Sequence, residues 1–95
     1  MKVILKNGAE TAFDKTEIEY SLASACAEVP EDRLRRVELE QIAGRVEARC
    51  ALLGRAVSVG EIQDMVVEEL GRSGHHILAS HCTRAWEKGA AAQDG

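Results

Sequence analysis

The pair Asn7-Gly8 separates an aliphatic run at residues 1–6 (MKVILK) from a second short run at 9–13 (AETAF). Asn-Gly is the dipeptide a two-residue type I′ turn requires, because both central residues must take φ > 0. The spacing predicts a β-hairpin at the start of the chain. Ala9, Thr11 and Phe13 would line one face of the returning strand, with Glu10 and Ala12 on the other.

Helix signals follow. Asp14 is placed to accept from the backbone N–H of Glu17, and Glu17 to reach back to Asp14 as a capping box, with Phe13 and Ile18 at the spacing of a hydrophobic staple. Ile18, Leu22, Ala25, Cys26 and Val29 repeat at helical spacing, and Pro30 ends the run. Residues 31–36 read as a charged connector or short turn. A second helix is expected over 37–53, with Leu39, Ile42, Val46, Cys50 and Leu53 on one face and Gly54 as its left-handed cap. Residues 55–58 can supply a third strand. Ser58 and Glu61 form an S-x-x-E capping box, stapled by Val57 and Ile62. That helix carries Ile62, Met65, Val66, Glu69 and Leu70 and stops near Gly74. The last helix takes 75–88, with Leu78, Cys82, Ala85 and Trp86 inward and His75 and His76 exposed at its start. Residues 1–88 thus read as one α+β domain, a small three-stranded sheet packed on a bundle of about four helices. Residues 89–95 (GAAAQDG) read as a frayed, disordered tail.

Composition narrows the function. The 95 residues include one Trp, one Tyr and one Phe, too few for a base-stacking platform on single-stranded nucleic acid. Twelve basic against sixteen acidic residues give a formal charge of −4, which disfavours binding along a phosphate backbone. No stretch approaches the ~20 apolar residues of a membrane span, and no apolar signal segment opens the chain; a cytoplasmic protein is expected. Cys26, Cys50 and Cys82 fall at apolar positions of helical patterns and read as buried thiols. His75, His76, His81 and Cys82 lack a second ligand pair, so zinc is not expected. No G-x-S-x-G, H-E-x-x-H or phosphate-loop pattern is present. Asp64 and the Glu68-Glu69 pair read as a solvated face, so neither a catalytic residue nor an enzyme activity is expected.

The tip Lys6-Asn7-Gly8 combines a cation, backbone N–H groups and a glycine, the ingredients of an anion cradle. In order, K-V-I-L-K-N-G, A-F-D-K-T-E-I and V-S-V-G-E-I-Q-D-M-V resemble the ATP-cone domain, a module of ribonucleotide reductases and of the zinc-ribbon repressors of their genes. The resemblance covers residues 2–70 and, more loosely, the last helix. It implies a regulatory domain that binds ATP or dATP, with magnesium as an accompanying ion, and that acts through a homo-oligomer or a reductase partner. Carried over by position, it implies nucleotide contacts from Val3, Lys6, Asn7 and Gly8, from Asp14 and Ile18, and from Val59 and Gln63. Helix N-termini beside the turn would add partial positive charge.

The departures from the family pattern bear on charge. Leu5 stands where the family has lysine, and Glu17 stands at a second lysine position near the phosphates. The last helix lacks the Y-x-x-Y-R ending, leaving Arg84 and Lys88 as its basic residues. Magnesium would let Glu17 take part. Two readings follow: a free-standing nucleotide-binding regulatory module, and a degenerate cone that keeps the fold as a protein-interaction module. A DNA-binding repressor is disfavoured by the acidic balance and the missing zinc ribbon.

Overall fold

The computed structural model describes residues 1–94, with side chains described as far as Glu87. The tail expected over 89–95 lies outside the residues with described side chains. The hairpin pairs β1 (Lys2–Ile4) with β2 (Glu10–Ala12), antiparallel, with Val3 opposite Thr11. Its turn differs from the two-residue type I′ form expected. The Gly8 amide donates to the Leu5 carbonyl at 2.9 Å and the Leu5 amide to the Ala9 carbonyl at 2.8 Å. The loop is therefore Lys6-Asn7-Gly8, and only Gly8 takes positive φ, 87°. Asn7 instead accepts from the Ala9 amide through Oδ1 at 3.0 Å. A three-residue loop with a left-handed glycine in third place is the next commonest hairpin connection. The extra loop residue moves the register by one, which flips the facing of side chains. Val3 and Leu5 thereby share a face with Thr11 and Phe13.

The third strand, β3 (Val57–Ser58), is shorter than expected and pairs parallel to β1, giving the order β2-β1-β3. Between β2 and β3 run α1 (Lys15–Glu28), a 3₁₀ turn at Pro30–Asp32 and α2 (Arg36–Leu52). After β3 come α3 (Val59–Arg72) and α4 (His76–Asp94). The architecture is the expected α+β one, a three-stranded sheet against four helices. No described helix is long and apolar enough to cross a membrane.

Each helix start has a chemical cause. At α1 the expected capping box does not form. Asp14 Oδ1 accepts from the Thr16 amide at 3.0 Å and the Thr16 hydroxyl at 2.6 Å, which hold its carboxyl below the usual range. The Glu17 amide instead donates to the Asp14 carbonyl at 3.1 Å. At α3 the box is complete: Ser58 Oγ accepts from the Glu61 amide at 3.1 Å, and Glu61 Oε1 from the Ser58 amide at 3.0 Å. Arg55, 2.7 Å from Glu61, together with that amide holds the Glu61 carboxyl at about 2. The core is aliphatic: Leu22, Ile42, Val46, Val57, Leu70 and Leu78 are fully enclosed. The three thiols are buried too, and burial pushes Cys82 up to about 11.

Four expectations about facing need correction. Leu53 follows the end of α2 and is exposed, and Ala85 faces out of α4. Glu69 is not solvated: it is buried on α3 and bonded to Arg49 at 3.2 Å and Arg72 at 3.4 Å, with Arg45 at 3.9 Å. A buried carboxylate is tolerated when guanidinium groups surround it this way.

His75 also departs from the exposed helix start expected. Its Nδ1 lies 2.9 Å from Asp32 and its Nε2 3.0 Å from Glu38, while Asp32 Oδ2 accepts from the Leu78 amide at 2.8 Å. This clamp ties the 3₁₀ turn and the start of α2 to the start of α4. The bond to Glu38 raises the His75 pKa against the opposing effect of burial, and Asp32 adds to the rise. His75, the Arg35 amide and the Arg35 side chain hold Glu38 at about 2. Protonated His75 therefore stabilises the fold fully below its unfolded value of ~6.5, and that support is lost as pH rises through the folded value. The carboxylates contribute above their unfolded values near ~4 and lose that contribution as pH falls toward the folded ones. A His75→Gln variant should melt below the parent, with the deficit largest at about pH 5–6 and shrinking above about pH 7. Thermal melts across that range check it; a deficit independent of pH would contradict the clamp.

Candidate functional site

The face that the hairpin register assigns to Val3, Leu5, Thr11 and Phe13 opens on a cleft of about 130 Å³. Helix α1 supplies Glu17, Ile18 and Ser21, with Asp14 just before it; α3 supplies Val59, Ile62, Gln63 and Val66; and Trp86 of α4 closes one side. The walls are mainly apolar, with the few polar groups typical of a small-molecule site. Its volume is below the roughly 300–1,000 Å³ of clefts that enclose a whole drug-sized ligand. It suits one flat ring system, with the rest of a ligand lying on the rim.

Five of the eight candidate residues meet here: Val3, Asp14, Ile18, Val59 and Gln63. Lys6 lies instead on a neighbouring groove with Gly60, Asp64, Val67, Glu68, Thr83 and Glu87, a groove that shares Gln63 and Trp86 with the cleft. Asn7 and Gly8 line neither; their part is to set the turn and hence the register. Ser21, Thr11 and Ile62 were not singled out as site residues, and only the facing of the strand and helices could have pointed to them. Trp86 carried a signal, being an inward position of the last helix and the sole tryptophan.

The electrostatics depart from an anion cradle. Among the described residues the cleft lining holds two carboxylates, Asp14 and Glu17, and no basic side chain. The Gly8 and Ala9 amides at the turn are spent inside the hairpin. At the helix starts, the Thr16 and Glu17 amides bond to Asp14, and the Glu61 amide bonds to Ser58. No set of three or more His, Cys, Asp or Glu side chains able to hold a metal ion occurs among the described residues. His81 pairs with Glu28 at 3.0 Å, and His75 with Asp32 and Glu38. A magnesium ion would find hard oxygen donors in Asp14 and Glu17, but as company for a bound phosphate rather than in a protein cage.

A family model for the ATP cone domain matches residues 1–88, nearly the whole chain. The chain belongs to the ATP-cone family. The family is in general one of nucleotide-binding regulatory modules, a domain type that is not itself catalytic. Among curated proteins, none matches the chain. ATP-cone domains bind adenine nucleotides in general.

Proposed function

We propose that this ATP-cone binds an adenine nucleotide, ATP or dATP with magnesium, and that the base enters the cleft between the hairpin and helices α1 and α3. The observation that carries the reading is the convergence of Val3, Ile18 and Val59 on one apolar cleft with Gln63 at its edge. The amide of Gln63 can both donate to and accept from the edge of a purine. The sugar and phosphates would leave along the groove that holds Lys6, which shares Gln63 and Trp86 with the cleft. Acting in the cytoplasm, the bound nucleotide would change how the chain associates with a second copy or with a ribonucleotide reductase. Coupling of that kind needs only a difference in nucleotide affinity between the free and associated states.

A second reading, a cone that serves as a protein-interaction module without nucleotide affinity, is favoured by the carboxylates of Asp14 and Glu17 in the lining. Titration with ATP and dATP in magnesium, followed by heat and amide shifts, separates the two. Shifts concentrated at residues 3–8 and 59–63 are expected, and Lys6→Ala should weaken binding several-fold with little change in melting temperature. No binding at millimolar nucleotide would leave the interaction module.

A further inference from the structure

We infer that this site selects adenine ligands by low net charge of the tail: it takes a nucleoside monophosphate, or a triphosphate whose charge magnesium has reduced, in preference to the free triphosphate. The inference rests on the cleft reading above and specifies the ligand class for that same site.

Three observations carry it. First, among the described residues the cleft presents Asp14 and Glu17 and no cation. Second, the groove that continues from it sets Lys6 against Asp64, Glu68 and Glu87, and of these Glu68 already has a cation, Arg49, at 3.1 Å. Among the described residues, a tail leaving the cleft by either rim therefore meets more negative than positive charge, on a chain whose formal charge is −4. Third, five of the backbone donors at the turn and the helix starts are already committed. The amides of Gly8, Ala9, Thr16, Glu17 and Glu61 all donate within the chain.

Anion sites at helix starts work because free N–H groups point at the ligand, and here Asp14 takes the Thr16 and Glu17 amides and Ser58 takes the Glu61 amide, which reduces the number left for a phosphate. Recognition is thus concentrated on the base, and each added phosphate brings repulsion from the carboxylates of the cleft and groove. Like charges around ~4–8 Å apart near a surface repel measurably even at an effective dielectric near 20, and magnesium on the tail removes part of that repulsion.

The test is calorimetric titration of the full chain with AMP, with ATP in EDTA, and with ATP in magnesium, at fixed ionic strength. AMP and the magnesium complex should bind at least about tenfold more tightly than free ATP, a difference of ~1.4 kcal/mol. The gap should narrow as salt is raised, and Glu17→Lys, an exposed position on α1, should close most of it. A steric cause would not respond to salt, so a salt-independent gap overturns the inference. Free ATP that binds as tightly as AMP, with shifts still at the cleft, also overturns it and leaves the cleft reading standing. If no adenine compound shifts the cleft amides, both fall together.

Discussion

Truncating Leu22 to alanine is expected to lower stability by about 3–4 kcal/mol, the range for a fully enclosed leucine whose surroundings only partly close the void. Leu22 has no exposed surface, and it lies one helical turn beyond Ile18 on the buried side of α1. A domain of this size has ~5–15 kcal/mol in total. The melting temperature should fall by ~4–8 °C per kcal/mol, well over about ten degrees in all. Tyr20, on the same helix and 76% exposed, provides the contrast: Tyr20→Ala should change stability by less than about 0.5 kcal/mol. Denaturant unfolding of the two variants checks the pair. Equal effects would mean that α1 does not pack on the face assigned to it. Because Ile18 lines the cleft, loss of α1 packing in Leu22→Ala should also weaken any ligand that binds there.

The second large effect concerns the cleft itself. Thr11 is exposed on β2, opposite Val3, and its side chain lines the opening. In Thr11→Phe an aromatic ring would occupy the space proposed for the base, at a strand position that favours aromatic residues. Nucleotide affinity should fall at least about a hundredfold, ~2.7 kcal/mol, while the melting temperature stays within a few degrees of the parent. Calorimetry and a thermal melt on one preparation check both halves. Retained affinity in a stably folded Thr11→Phe would move the site elsewhere.

Much of the fold was legible because its signals are local. Asn7-Gly8 announced the hairpin, Pro30 the end of α1, and Ser58 with Glu61 the start of α3. The errors arose where local chemistry permits two answers. Asn-Gly suits both a two-residue and a three-residue loop, and the choice sets the strand register, so the face of Val3 was not decided by the dipeptide. At Asp14, the hydroxyl of Thr16 offered a second bond and drew the carboxylate to Thr16 rather than Glu17. Distant partners were beyond reach. Glu69 is buried because Arg49, twenty positions away, comes alongside it, and His75 is clamped by groups 37 and 43 positions earlier. The motifs carried over from the family named residues on the cleft and residues on the turn alike. Spacing alone could not separate those that line the opening from those that shape the hairpin, since that division depends on the register.

Contacts between the ring protons of bound adenine and the protein's methyl groups test the central claim most directly, read as intermolecular nuclear Overhauser effects with the magnesium complex of ATP and with AMP. Cross-peaks to the methyls of Val3, Ile18 and Val59 and to the indole of Trp86 are predicted, and they should vanish in Thr11→Phe. Cross-peaks confined to other residues, or none from a ligand shown by calorimetry to be bound, would contradict a base seated between the hairpin and the two helices.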